Sequence, residues 1–280
     1  MRRSLVLLVA ITAPLLVGCG DDAPFPAGQP DPSYIGRAVD SGFRPETGGF
    51  AFPNFDHVTY RERFTIEDLL DRFGGGPRLC RDGVTDPCIP TDEAQTFIDT
   101  VESARRAGHC EGMVLLAAAR HYWGVAPETA SLAPDDWVID AIIFGFATIF
   151  LPEVQAEVRA WESSSLADAV ALLAVDLEAG RLDYGMGLYT DVGGHEVLPY
   201  AIEYPSESHA RVLVYDPNWP LVERHVDIDL TTETWRFSFA GDDPDADPHA
   251  WTGDATMLDL NSIPLRAAAL EARGVELTPR

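Results

Sequence analysis

The chain is 280 residues long, 46% hydrophobic and 23% charged, with a formal net charge of −25. So acidic a surface repels nucleic acid and gains nothing from anionic lipid headgroups, which excludes both as partners on electrostatic grounds. The length suffices for one large domain, or a domain with a helical insertion, to bury a full core.

Met1-Arg2-Arg3 is a short basic start, and residues 4–17 are almost wholly apolar, broken by Thr12 and Pro14. This run falls short of the roughly 20 apolar residues of a membrane-spanning helix. It closes on Leu16-Val17-Gly18-Cys19, a small residue followed by a cysteine, which resembles the bacterial lipoprotein signal. The resemblance implies that residues 1–18 are a cleaved signal peptide and that Cys19 carries lipid. The protein is then held on the exported side of a bacterial cell envelope, its membrane contact being that lipid. Residues 19–58, rich in Pro, Gly and Asp, read as a tether and N-terminal extension, with Tyr34, Phe43, Phe52 and Phe55 packing onto the domain surface. Residues 59–280 are the domain.

Thr65 before Ile66-Glu67-Asp68 starts a short helix that Gly74 to Gly76 stop. Cys80 and Cys88 are separated by a polar loop containing Gly83 and Pro87, and an oxidising compartment predicts a local disulfide between them. That leaves Cys110 as a free thiol, and the three cysteines lack the paired spacing of a zinc site. Thr91 precedes Asp92 and Glu93 and opens a second helix, with Ala94, Phe97, Ile98, Val101 and Ala104 at helical spacing. From Cys110 to Trp123 the chain is apolar on nearly every side, as in a buried central helix. Residues 134–180 read as three further helices, broken at Pro152 and at Ser163 to Ser165, and as a layer or insertion beside the central helix.

After Gly180 the period changes to two. Residues 184–190, 195–204, 210–215, 225–230 and 234–239 read as strands, with Val226, Ile228 and Leu230 alternating with Asp227 and Asp229. The acidic stretch 241–250 has no calcium-loop motif and reads as a solvated turn. The expected fold is α+β: a helical half containing Cys110, then a mostly antiparallel sheet.

Three segments carry candidate chemistry: Gly108-His109-Cys110-Glu111-Gly112, Gly193-Gly194-His195-Glu196 and Tyr215-Asp216-Pro217-Asn218. Free amides at a helix start favour a thiolate at Cys110 and face a developing oxyanion. Gly108 and Gly112 would leave room for a substrate backbone around the sulfur. His195 opens one strand, and Asp216 ends the next, about 4.8 Å away, within reach of the ring. Asn218 is the backup orienter. His109 is read as an exposed neighbour able to tune the thiol, and Glu111 as pointing to solvent, since a carboxylate beside a thiolate raises its pKa. Trp219 and Trp235 read as sheet packing.

The order Cys110, His195, Asp216 resembles the papain-like cysteine peptidase superfamily over roughly residues 93–240. The Tyr215-Asp216-Pro217 strand end is also similar to that of bacteriocin-leader peptidases and transglutaminase-like enzymes. The resemblance implies a papain-like fold with Cys110 as nucleophile, His195 as base and Asp216 as orienter. It also implies acyl transfer on peptide, protein or cell-wall amide bonds, with no metal or organic cofactor. Two features depart from that pattern. Ala104 stands where an oxyanion glutamine is usual, so Gln95 becomes the upstream candidate, and the long gap to His195 requires 134–180 as an insertion. The alternatives are a non-catalytic surface binding lipoprotein on the same scaffold and a transglutaminase-like crosslinking enzyme.

Overall fold

A computed structural model describes residues 36, 38–60 and 63–271, so the leader, Cys19 and Tyr34 lie outside the described residues. In chain order the elements are β1 (Ala38–Asp40), α1 (Pro45–Gly48), α2 (Ile66–Phe73), β2 (Cys80–Thr85), β3 (Cys88–Pro90) and α3 (Asp92–Ala104). Next come α4 (Cys110–Tyr122), α5 (Asp136–Ala147), α6 (Pro152–Ala160) and α7 (Leu166–Glu178). The strands β4 (Tyr184–Thr190), β5 (Gly193–Ser206), β6 (His209–Tyr215), β7 (Glu223–Asp229), β8 (Thr234–Phe237), β9 (Trp251–Asp254) and β10 (Leu258–Ser262) follow, then α8 (Ile263–Glu271).

Local chemistry accounts for the helix starts. The Thr91 hydroxyl accepts from the Ala94 N–H at 3.2 Å at the head of α3. Ser165 and Asp168 cap each other at the head of α7, the Asp168 N–H reaching Ser165 Oγ at 3.0 Å and the Ser165 N–H reaching Asp168 Oδ2 at 3.1 Å. Such reciprocal caps satisfy amides that the helix itself leaves unpaired. Along α4 every residue from Gly112 to Arg120 is buried. It packs closely on α5, because Gly112 has no side chain: a Cβ there would overlap the Ile142 carbonyl and come 2.8 Å from the Phe146 amide nitrogen.

The eight-stranded sheet has the path β10-β4-β5-β6-β7-β8-β9, with β1 also paired to β5, and every pairing is antiparallel. The first part of β5 pairs with β4 and its second part pairs with β6 and β1, with register shifts between Pro199 and Ala201 and between Glu203 and Ser206. Strands β9 and β10 lie at opposite ends of this path, yet only residues 255–257 join them. Such a connection reaches at most about 14 Å. The sheet therefore curls until its two ends approach each other, which shields edges that would otherwise invite pairing.

The expected division into a papain-like helical half followed by a sheet is corrected. Strand β1 precedes all the helices, and the last helix, α8, returns after the sheet to pack on α4 and α5. The fold is α+β, with a curled antiparallel sheet and one contiguous apolar core running through helices and strands. Residues 38–58 are more than a tether: β1 joins the sheet, and Phe43, Phe50 and Phe55 are in the core. Cys80 and Cys88 form the disulfide, and the segment between them is the β2–β3 hairpin rather than an open loop.

Candidate functional site

Cys110 is the free cysteine among the described residues, half-buried at the first position of α4. His195, on β5 opposite Leu188 of β4, turns its Nε2 to Asp216 Oδ1 at 2.7 Å. Asp216 directly follows β6, whose last residue, Tyr215, pairs with Leu198 of β5. This register brings the carboxylate beside the ring. The Cys110 sulfur lies near enough to this ring to act on it electrostatically. The structure thus brings Cys110, His195 and Asp216 together.

Asn54, which carries no sequence signal, organises this region. Its Oδ1 accepts from the His109 N–H at 2.8 Å, and its Nδ2 donates to Asn218 Oδ1 at 3.1 Å. Its own N–H donates to the Pro217 carbonyl at 2.8 Å. One side chain therefore ties the start of α4 to the turn after β6. Asn218 in turn donates its N–H to Asp216 Oδ1 at 2.8 Å, and its Nδ2 lies 3.4 Å from His195 Nε2.

Other expectations are corrected. His109 is fully buried, stacked on Phe55 with ring centroids 4.4 Å apart, and its Nδ1 donates to the Phe55 carbonyl at 2.7 Å. Burial pushes its pKa down to about 4, so the ring is neutral and structural. Gln95 is exposed on α3 and donates to Asp99 at 2.8 Å, so it supplies no oxyanion contact. The space expected at Gly108 and Gly112 is filled, since Cβ atoms there would meet the Asn54 side chain and the Ile142 carbonyl. Trp235 is buried in the sheet and donates to the Asp254 carbonyl at 3.1 Å; Trp219 is half-buried under the Arg224 guanidinium, 4.3 Å away.

The acyl-transfer reading is corrected as well. Cys80 and Cys88 are consumed in their disulfide, so neither is available as a nucleophile, and the whole case would fall on Cys110. Its intended base is enclosed and held by Asp216. Burial alone would push the His195 pKa down, but the charge and hydrogen bond of Asp216, with those of Cys110, raise it to about 10. The ring therefore holds its proton near neutral pH. The His195 side chain is 2% exposed and that of Asp216 0%, and Phe237 and Phe239 cover the ring at centroid distances of 6.0 and 5.2 Å. The cysteine peptidase and transglutaminase-like readings, which share this chemistry, therefore fall together.

A second cluster lies on the outer face of the sheet. Strand β7 puts His225 and Asp227 two residues apart on one face. The loop after β8 brings Asp245 over them, because Arg236 donates to the Pro244 carbonyl at 2.6 Å and to the Asp247 carbonyl at 2.8 Å. The ligand atoms of His225, Asp227 and Asp245 all lie within 4.8 Å of one another. His225 Nε2 is 3.1 Å from Asp245 Oδ1 and 3.4 Å from Asp227 Oδ2, but its direction makes it a hydrogen-bond partner of neither. Arg211, opposite Asp227 on β6, donates to both carboxylates at 2.9 Å. Burial would raise the Asp227 pKa; the His225 ring beside it and the hydrogen bond from Arg211 outweigh that and hold the carboxyl below its usual value. Asp227 also lines a groove of about 620 Å³ with His209, Asp229, Arg236 and Asp254. The stretch 241–250 is the expected solvated turn region, largely exposed, and Arg236 and Arg211 pin it in place. The alternating aspartates of β7 were its visible half; the cations that hold Asp245 in place left no local sign.

The fold and these sites define an α+β protein with a buried His–Asp ion pair and a His–Asp–Asp cluster on its sheet. No family model, curated protein or solved structure matches the chain, so the comparisons give no support for the papain-like superfamily.

Proposed function

We propose that this protein is a non-catalytic binding protein of the bacterial cell envelope, held by lipid on Cys19 at the exported side of the membrane, and that it binds a divalent metal ion through His225, Asp227 and Asp245. The observation that carries the reading is the convergence of three ligand atoms of suitable type within 4.8 Å. One imidazole and two carboxylates suit zinc or manganese better than calcium, which prefers an all-oxygen set. Arg211 is the resident cation of the cluster, and a metal ion would take over its charge-balancing role. The groove that shares Asp227 gives an ion open access.

Calorimetric titration of the detergent-solubilised chain with Zn²⁺ and Mn²⁺ tests the reading. One saturable equivalent is expected, weakened at least about tenfold, or about 1.4 kcal/mol, by His225→Ala or Asp245→Asn. Arg211→Gln is expected to tighten binding by removing a competing cation. Binding that is absent, or indifferent to all three substitutions, refutes the metal site. The anchor has its own check: Cys19→Ser is expected to move the protein from the membrane fraction to the soluble fraction, and retention at the membrane would count against lipidation.

A further inference from the structure

Beneath the start of α4 lies a buried polar cluster that neither reading above employs. Arg266 of α8 is fully buried and joins four parts of the chain. Its Nη1 donates to Glu111 Oε2 at 3.0 Å and to Asn261 Oδ1 at 2.6 Å, its Nη2 to the Glu111 carbonyl at 2.9 Å and the Gly145 carbonyl at 3.3 Å, and its Nε to Thr148 Oγ1 at 3.0 Å. Glu196 of β5 is also fully buried. Asn261 Nδ2 donates to its two oxygens at 2.8 and 3.0 Å, and Arg266 Nη1 is 3.7 Å from its Oε1. The two carboxyl groups thus face the same guanidinium nitrogen, Glu111 at 3.0 Å and Glu196 at 3.7 Å. Two carboxyl groups brought this close to one cation can hydrogen-bond to each other only when one of them carries a proton.

We propose that Glu111 and Glu196 share one proton beneath Arg266, and that this proton latches α8 onto the amino end of α4. The charge balance requires it. One guanidinium faces two carboxyl groups, that of Glu196 fully buried and that of Glu111 15% exposed, so full ionisation would leave an unpaired negative charge in a largely buried site. The remaining neighbours do not supply the missing cation. Asp259 of β10, Tyr189 of β4 and Glu157 of α6 surround the cluster, and each is neutral or negative; His195, the other cation nearby, is engaged by Asp216. Burial first, and the Glu111 charge second, push the Glu196 carboxyl well above its ordinary value, and burial raises Glu111 although Arg266 opposes it. The latch reaches the segment bearing Cys110, because Glu111 is the next residue of α4.

The sign of the pH effect follows. A carboxyl protonated in the docked state and ionised in the open state stabilises docking fully at low pH and loses that contribution as pH rises from the ordinary carboxyl value, 4.5, toward the raised one. In that window, α8 opening is expected to grow about tenfold per pH unit. Hydrogen exchange of residues 263–271, corrected for intrinsic chemistry and followed from pH 5 to pH 8 (arbitrary end points, on the order of the carboxyl window), reads this directly. Glu196→Gln, which keeps a hydrogen-bond donor without a titrating proton, is expected to flatten the dependence. An infrared difference spectrum between parent and Glu196→Gln at neutral pH is expected to show a protonated carboxyl stretch in the parent alone. If Glu196→Gln does not fold, Glu111→Gln serves in its place, with the same flattening expected. PH-independent protection in the parent, an unchanged dependence in the glutamine variant, or no protonated carboxyl band would each overturn the latch.

Discussion

Gly112→Ala is expected to lower the unfolding free energy by about 3 kcal/mol, the upper end of the range for overpacking a filled interior. The cost is high because the added methyl meets backbone. Its position overlaps the Ile142 carbonyl and lies 2.8 Å from the Phe146 nitrogen, so α4 and α5 must separate along their contact. Gly145, across the same contact, is the internal control. A Cβ there would lie 2.9 Å from Leu116 Cδ1, the end of a side chain that can change rotamer. Gly145→Ala is expected to cost about 1 kcal/mol, the lower end of the same range. Urea denaturation of both variants checks the pair, and equal costs would show that the close approach at Gly112 is relieved by relaxation elsewhere.

That contrast illustrates which parts of the structure were legible in the sequence. Helices α2 to α7 and strands β4 to β8 follow from runs long enough to show a period and from caps such as Thr91 and Ser165. Strand β1 has three residues, too few for any period, and its pairing partners on β5 lie more than 150 residues away. The ends of the curled sheet, β9 and β10, are specified by long-range closure, which no local pattern announces. The same reason governs the sites. His195 and Asp216 could be placed together because adjacent antiparallel strands put them there. Glu111 was read as solvent-facing because its partner, Arg266, is 155 residues further on. Asn54, an asparagine in a segment taken for tether, connects two of the three motifs.

The buried His195–Asp216 pair has a sufficient structural role without a reaction. A charged ring held by a carboxylate, flanked by Phe237 and Phe239, braces β5 against the turn after β6 and against β8. Buried pairs of this kind contribute little net stability but penalise any arrangement that separates them. Asn54 and Asn218 extend the brace to α4, so the position of Cys110 is a consequence of how this region is held rather than evidence for a reaction at the sulfur.

Arg266→Met is expected to cost about 3–5 kcal/mol, the cost of breaking a buried ionic group by removing one partner. Methionine fills much of the volume, so the loss is electrostatic: Glu111 keeps a largely buried carboxyl without its cation, and the Gly145 and Glu111 carbonyls lose the Arg266 donor. The damage should also depend on pH. At low pH both carboxyls can take up protons and the variant approaches the parent. As pH rises above the ordinary carboxyl value of 4.5, each unit widens the gap until the unfolded chain alone ionises freely. Adding Glu111→Gln and Glu196→Gln to Arg266→Met removes the stranded charge as well as its partner. If charge imbalance is what the arginine relieves, the triple variant should recover most of the loss at neutral pH and show little dependence on pH, as when a buried ionic cluster is replaced entire. If instead the arginine matters as the tie between α8, α5 and β10, the triple variant will stay as unstable as Arg266→Met. Thermal melts of the single and triple variants at two pH values separate electrostatics from connectivity, since only the electrostatic cost moves with protons.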